Sequence, residues 1–392
     1  MRLDHINISV RELDKRAAAR GFPYDSGVWL FKELVHKSIP NKCIVSRWEG
    51  NTRLYSHTKT SEYAGIKNLY MKHEGENPTG SFKDRGMTVG VSEAVRIGAK
   101  IVCCASTGNT SASLASYAAL AGLKAVVFIP SGEIAYGKLA QTIAYGAKVV
   151  QVKGNFDDSM RLIQEAASSL KMYILNSVNP WRIEGQKSIT FELIQQMKWD
   201  SPDWIVLPAG NLGNTAAMGK ALSELKEFGL IEKMPRIAAI QSEGAAPFYK
   251  LWKSGLHELV RVDNPDTIAS AIKIGNPVSW KKAIKAIKMT NGVVEKVSDN
   301  QILDAKAMID SSGIGCEPAS AASLAGAKKL RKNGVIKEGQ NVVCILTGNI
   351  LKDPITTVGY HTNELKKIRP AFMNPPIEVD GDIDKIKKAL ES

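Results

Sequence analysis

The chain has 392 residues, 44% of them hydrophobic, and a formal net charge of +13 at pH 7. That length supports a large core and about two domains, and the composition excludes a disordered chain. The longest apolar runs, such as 125–129 (AVVFI), are far too short to span a bilayer, and the start (MRLDHINISVRELDKR) carries no apolar signal region, so a cytoplasmic location is expected.

From residue 66 onward, short β-branched runs alternate with longer small-residue stretches. Strands are predicted at 101–106, 125–130, 148–152, 204–208, 237–241 and 341–347. Helices are predicted at 81–99, 109–122, 137–146, 157–170, 214–229 and 318–334, several ending on glycine. Continuous apolar strands alternating with helices predict an α/β fold, with parallel sheets covered on both faces. Beyond residue 360 the pattern changes. Residues 368–382 are proline-rich and predicted extended, and 382–392 space Ile383, Ile386 and Leu390 as a short helix would.

The basic stretches 281–288 (KKAIKAIK) and 328–332 (KKLRK) lack the interleaved aromatics that stack bases. They read as solvated lysine-rich helix faces, no nucleic-acid partner is expected, and the positive field would draw a small anionic substrate. The five cysteines, Cys43, Cys103, Cys104, Cys316 and Cys344, are odd in number and form no CxxC pair. They read as small buried hydrophobes in a reduced compartment. The six histidines form no HxxxH or HExxH pair, so no metal is expected.

Open α/β sheets bind ligands at the carboxyl ends of their strands, so the loops after the strands carry the chemistry. In the first, 73–87 (HEGENPTGSFKDRGM), Pro78, Thr79 and Gly80 turn the chain into a helix whose first turn holds Lys83. A cation there faces the positive end of the helix dipole, which lowers an amine's pKa and keeps it nucleophilic. The plain alternative is a solvated lysine paired with Asp84. The second loop, 105–113 (ASTGNTSAS), gathers hydroxyls and N–H groups at a helix start, which serves equally to cap the helix or to bind an anion. In the third, 208–219 (PAGNLGNTAAMG), Gly210 and Gly213 allow a backbone nest for phosphate, but it is neither a Walker A loop nor GxGxxG. The fourth, 346–349 (LTGN), projects the Thr347 hydroxyl from a strand end.

Together these segments resemble the threonine synthase family of fold type II pyridoxal-phosphate enzymes. NPTGSFKDRG (77–86) matches the family's lysine segment residue for residue. The likeness continues through EGNTRLY (49–55), CASTGNTSAS (104–113), AYGKLAQ (135–141), GNFDDS (154–159), NSVNPWRIEGQKS (176–188), GNLGN (210–214), AIKIGNPVSW (271–280), EPASAAS (317–323) and LTGNILKDP (346–354). It spans roughly residues 45 to 358, in order and in spacing. Arg53 stands where the family commonly has proline, and the first ~44 residues and the tail match poorly, as peripheral segments do.

The resemblance implies two doubly wound α/β domains with a pyridoxal 5′-phosphate cleft between them. The expected division is an N-terminal segment (1–65) on the larger domain, a smaller domain (66–178), a larger domain (179–360) and a tail (361–392). Lys83 would carry the cofactor as a Schiff base and act as the catalytic base. Asn109 would meet the cofactor's 3′-oxygen, Gly210, Asn211, Leu212, Gly213 and Asn214 its phosphate, and Thr347 its pyridine nitrogen. A hydroxyl there leaves the ring a weaker electron sink than an aspartate would, which suits β/γ-replacement better than transamination. Ser106, Thr107, Asn176, Ser177 and Arg182 would grip a substrate phosphate, with Thr110 beside them. For Arg182 the plain alternative is a surface salt bridge with Glu184.

The reaction implied is O-phospho-L-homoserine and water to L-threonine and phosphate, by a homodimer. A dehydratase or a cysteate synthase of the same fold is the nearest alternative, and a non-catalytic binding protein is the remote one.

Overall fold

Ten strands and the helices between them follow the alternation of the sequence, in a computed structural model that describes residues 8–130, 136–153, 156–177, 179–255 and 257–391. The strands are β1 (Leu54–Tyr55), β2 (Leu69–His73), β3 (Ile101–Ala105), β4 (Lys124–Pro130), β5 (Lys148–Val152), β6 (Tyr173–Ile174), β7 (Trp204–Pro208), β8 (Arg236–Ser242), β9 (Val293–Val297) and β10 (Val342–Leu346). They form a six-stranded sheet in the order β1-β2-β10-β7-β8-β9 and a four-stranded sheet in the order β5-β4-β3-β6. Every pairing is parallel except β1 with β2. The fold is that of an α/β protein, as the alternation predicts.

Successive side chains of a strand point to opposite sides, and the central strands of both sheets are buried on both faces. Along β7, Trp204 and Val206 join one core cluster while Ile205 and Leu207 join the other. In β3, Val102 and Cys104 face one side and Cys103 the other. All five cysteines are free thiols. The lysines of 281–288 are exposed on the helix Trp280–Met289, whose Ala283 and Ile287 are buried beneath. Residues 368–382 carry no helix or strand, and the final helix, Ile383–Glu391, leaves Ile383, Ile386 and Leu390 exposed. Among the described residues no helix is long and apolar enough to cross a membrane. Ala135 of the AYGKLAQ match and Gly154 and Asn155 of GNFDDS lie outside the described residues.

Four strands were not expected: β1 and β6 are two residues long, and β2 and β9 escape for one reason. β2 (LYMKH) and β9 (VVEKV) carry charges and so lack an apolar run. β2 pairs with β10 from Leu69↔Val342 to His73↔Leu346, so it belongs to the larger sheet. The smaller sheet draws its strands from 101–174. Of the N-terminal segment, Trp29, Phe31 and Leu34 join the core cluster that contains Phe191 and Leu222.

A buried charge on β2 is tolerated because its partner is buried with it. Lys72 Nζ lies 2.5 Å from Glu192 Oε1, and the fully buried Arg85 bonds both Glu192, at 2.9 Å, and Glu74, at 2.6 Å. Burial alone would raise the Glu192 pKa, but Arg85 and Lys72 hold it well below its ordinary 4.5. Arg85 lies two residues after Lys83, so the cluster anchors the helix that begins at Lys83. Replacing Arg85 with Met leaves two buried carboxylates facing one lysine. A loss of about 3–5 kcal/mol is expected in denaturant unfolding. A Glu held below its ordinary pKa stabilises the fold above that ordinary value and loses this contribution as acid protonates it. The wild-type midpoint should therefore fall as pH drops below about 4.5.

Candidate active site

The carboxyl ends of β2, β10 and β7 in one sheet, and of β3 and β6 in the other, all open into one cavity of about 1900 Å³. Its lining includes Lys83, Asn109, Thr347 and the loop Gly210–Asn214. It also includes Ser106, Thr107, Thr110, Asn176, Ser177 and Arg182. Every residue expected to hold the cofactor or the substrate thus lines the same space, from loops more than 260 positions apart in the chain.

Lys83 opens the helix Lys83–Arg96, and its Nζ lies 3.7 Å from the centre of the Phe82 ring. Asp84 is not its partner. That carboxylate accepts from the Thr79 amide and hydroxyl, both at 2.6 Å, and from the Ser113 hydroxyl at 2.5 Å. Burial lowers the Lys83 pKa, the Arg182 charge lowers it further and Glu317 partly opposes them, leaving it at about 7. An amine so placed is substantially neutral at physiological pH and can act as a nucleophile or a base.

Arg182 reaches the cavity because two helices touch backbone to backbone. A Cβ on Gly185 would lie 2.0 Å from the Arg85 carbonyl oxygen, and one on Gly86 would lie 2.9 Å from the Arg182 carbonyl oxygen. Only glycines allow this approach. Arg182 is 1% exposed, its Nη1 donates to the Leu175 carbonyl at 3.1 Å, and its Nε has no partner among the described residues. The expected alternative partner, Glu184, pairs instead with Lys187 at 2.5 Å and with Lys220. Among the described residues no carboxylate pairs with Arg182. Burial pushes its pKa down to about 10. A buried cation with an unused N–H and no carboxylate beside it suits an oxyanion. Asn176 and Ser177 stand beside it. Asn176 accepts from the Ala105 amide at 3.0 Å, and the Ser177 hydroxyl accepts from Asn211 at 3.4 Å.

Across the cavity, Leu212 takes the left-handed conformation (φ 65°) just before the helix Gly213–Glu227. That geometry turns successive N–H groups inward. A Cβ on Gly210 would lie 3.1 Å from the Ala271 carbonyl oxygen, which brings the 271–280 segment against the loop. Both polar atoms of the Asn214 side chain and the Thr215 hydroxyl are buried without hydrogen-bond partners. Buried polar groups ordinarily have partners. Orphans gathered at a glycine-rich helix start fit a phosphate group.

Between the two anion-binding features lies a residue the sequence reading gave no role. Glu317 precedes the helix Pro318–Lys332 but does not cap it. Its carboxylate accepts from Asn109 Nδ2 at 2.9 Å and from the Thr347 hydroxyl at 3.1 Å. Ser320 Oγ lies 3.0 Å from the same hydroxyl. Burial raises the Glu317 pKa, against the hydrogen bonds of Asn109 and Thr347 and the Lys83 charge. An acid before a proline-started helix reads as a dipole partner, so nothing local betrays this role. Gln186 was also missed. Its Oε1 is buried without a partner, and its place four residues after Arg182 on one helix face was the available signal. Arg53, the departure from the family's proline, donates its backbone N–H to Glu76 at 2.7 Å, a bond proline could not make.

Residues 45–348 match the family model described as pyridoxal-phosphate dependent enzyme. The chain is 49% identical to a threonine synthase of Methanosarcina acetivorans over 87% of its length and 82% of that protein's. It is 45% identical to a threonine synthase of Methanocaldococcus jannaschii over 93% of its length and 87% of that protein's. Its fold is similar to that of maize serine racemase, with a TM-score of 0.70 at 19% identity, covering 92% of this chain and 99% of that one.

Proposed function

The chain belongs to the pyridoxal-phosphate-dependent enzymes, among the threonine synthases, and from that premise we propose that it converts O-phospho-L-homoserine and water to L-threonine and phosphate. The observation that carries this substrate is Arg182, buried in the cavity with no carboxylate partner among the described residues. A dehydratase of the same fold has no substrate phosphate to hold.

The residues present fit the cofactor. Lys83 would hold it through its amine, Asn109 and Thr347 would meet its ring, and the N–H groups of Gly210–Asn214, with Thr215, would take its phosphate. Bound there, pyridoxal phosphate supplies an electron sink for charge that develops beside the substrate's amine-bearing carbon. Lys83 Nζ, about half neutral near pH 7, would carry protons one at a time: off the α-carbon, off the β-carbon, onto the γ-carbon once phosphate has left, and back to the α-carbon, while the proton of the added water goes with the phosphate. Arg182, Asn176 and Ser177 hold the γ-phosphate until it leaves, and water adds at the β-carbon. Ser106, Thr107 and Thr110 orient the substrate from the opposite loop. Thr347 has one hydroxyl hydrogen. That hydroxyl is neutral, so the ring nitrogen would gain no ionic partner to deepen the sink. The resemblance also makes a homodimer part of this reading, and a monomer's mass by light scattering would remove that part.

Purified protein loaded with pyridoxal phosphate and given phosphohomoserine should release inorganic phosphate and threonine in equal amounts. Phosphoserine with sulfite should yield no cysteate. Phosphate release only from the second pair would assign the sister activity and overturn the proposal.

A further inference from the structure

The cavity holds a second cation that the reading above does not use. Lys352 ends the short helix Ile350–Lys352 after β10 and is half-buried in the cavity wall. Its loop is stapled to the turn before Lys83. The Phe82 amide donates to the Thr347 carbonyl at 3.1 Å, the Asn349 amide donates to the Gly80 carbonyl at 2.9 Å, and Ser81 bridges Gly348. Gly80 has φ +81°, and a Cβ there would lie 3.0 Å from Lys352 Cε and 3.7 Å from its Nζ. The glycine therefore leaves the passage through which the lysine crosses the turn.

From there Lys352 Nζ donates to Gln141 Oε1. Gln141 also lines the cavity, and it lies on the helix Tyr136–Ala144, which follows β4 of the smaller sheet. The bond thus ties the two sheet units over the site. Among the described residues no carboxylate lies within ion-pair distance of Lys352, whereas two further basic residues of the lining, Arg261 and Lys273, pair with Asp263 and Asp266 at 2.6 and 3.9 Å. Burial lowers the Lys352 pKa, opposed by the more distant charges of Glu317 and Asp84. A neutral amide partner satisfies one of three ammonium hydrogens and none of its charge.

We propose that Lys352 is a specificity-determining residue that binds an oxyanion of the substrate, γ-phosphate or α-carboxylate, while its bond to Gln141 holds the two units closed around it. This rests on the proposed function, since phosphohomoserine carries both anions and Arg182 supplies only one cation for them. Loss of a charge-assisted hydrogen bond in such a site weakens binding about 10- to 100-fold.

The test titrates the pyridoxal-phosphate-loaded enzyme with inorganic phosphate and with L-threonine by calorimetry, in wild type, K352M, K352R and Q141A, beside steady-state kinetics on phosphohomoserine. K352M should raise KM about 10- to 100-fold with a smaller change in kcat, and K352R should recover most of it. Weakened phosphate binding would assign the γ-phosphate, and weakened threonine binding alone would assign the carboxylate. Q141A keeps the charge and should lose less than K352M. Unchanged binding of both ligands in K352M, or equal losses in K352M and Q141A, would overturn the inference. If K352M does not fold, K352Q with the same ligands decides it. Wild-type enzyme that releases no phosphate from phosphohomoserine fails the proposed function instead, a result visible before any variant is compared.

Discussion

Lys83→Ala is expected to abolish turnover of phosphohomoserine and, with it, the near-visible absorption that bound pyridoxal phosphate gives the wild-type protein. Removing a general base alone costs on the order of 10²–10⁴-fold. Here the same amine also holds the cofactor, so the combined loss should exceed that range. Borohydride followed by mass measurement provides a second readout, because wild type should retain the cofactor's mass on a peptide containing Lys83 and the variant should not. The substitution should leave the fold intact. Among the described residues Lys83 makes no ion pair, and its neighbours Asp84 and Arg85 keep their bonds to Thr79, Ser113, Glu74 and Glu192. Activity within a few-fold of wild type would refute the lysine's role, however well the sequence matches.

Arg182→Met should lower kcat/KM for phosphohomoserine by about 30- to 5,000-fold, the equivalent of about 2–5 kcal/mol for a desolvated charge contact. Methionine keeps most of the packing against Gly90 and Leu175. The stability change should be small or favourable. Burial already lowers the Arg182 pKa to about 10, so its charged form is disfavoured in the fold and its removal relieves that cost. A large loss of activity without a loss of stability separates recognition from support. The variant should also change the titration of Lys83. Arg182 helps lower that pKa to about 7, so without it the pH at which the cofactor-free amine captures pyridoxal phosphate at half-maximal rate should move upward. An unchanged midpoint would mean that the two charges do not meet across the cavity. Arg182→Lys keeps the charge but loses the planar fork, and should fall between.

The sequence by itself determined the kind of fold and pointed to many of the residues that line the cavity. Uninterrupted apolar strands such as WIVLP and VVCIL can only be buried on both faces, and both lie in the parallel sheet. The four polar loops after strands became the walls of one cavity because strand direction in a parallel sheet sends all its carboxyl ends the same way. Lys83, Asn109, Gly210–Asn214, Thr347 and Arg182 were therefore legible from local chemistry together with resemblance. What only the tertiary structure decided were relations between distant segments. β2 hides in the sequence because Lys72 is acceptable on a buried strand only once Glu192, 120 positions later, is beside it. The state of Lys83 depends on Arg182, which reaches it through glycine contacts between two helices. Glu317 looks like a helix-start acid until Asn109, 208 positions away, donates to it, and Lys352 looks like a surface lysine until Gln141, 211 positions away, accepts its bond. Local pattern reports what a residue can do within its own turn of chain. Burial and the identity of its partner are properties of the packed molecule, and they decide which of those possibilities it takes up.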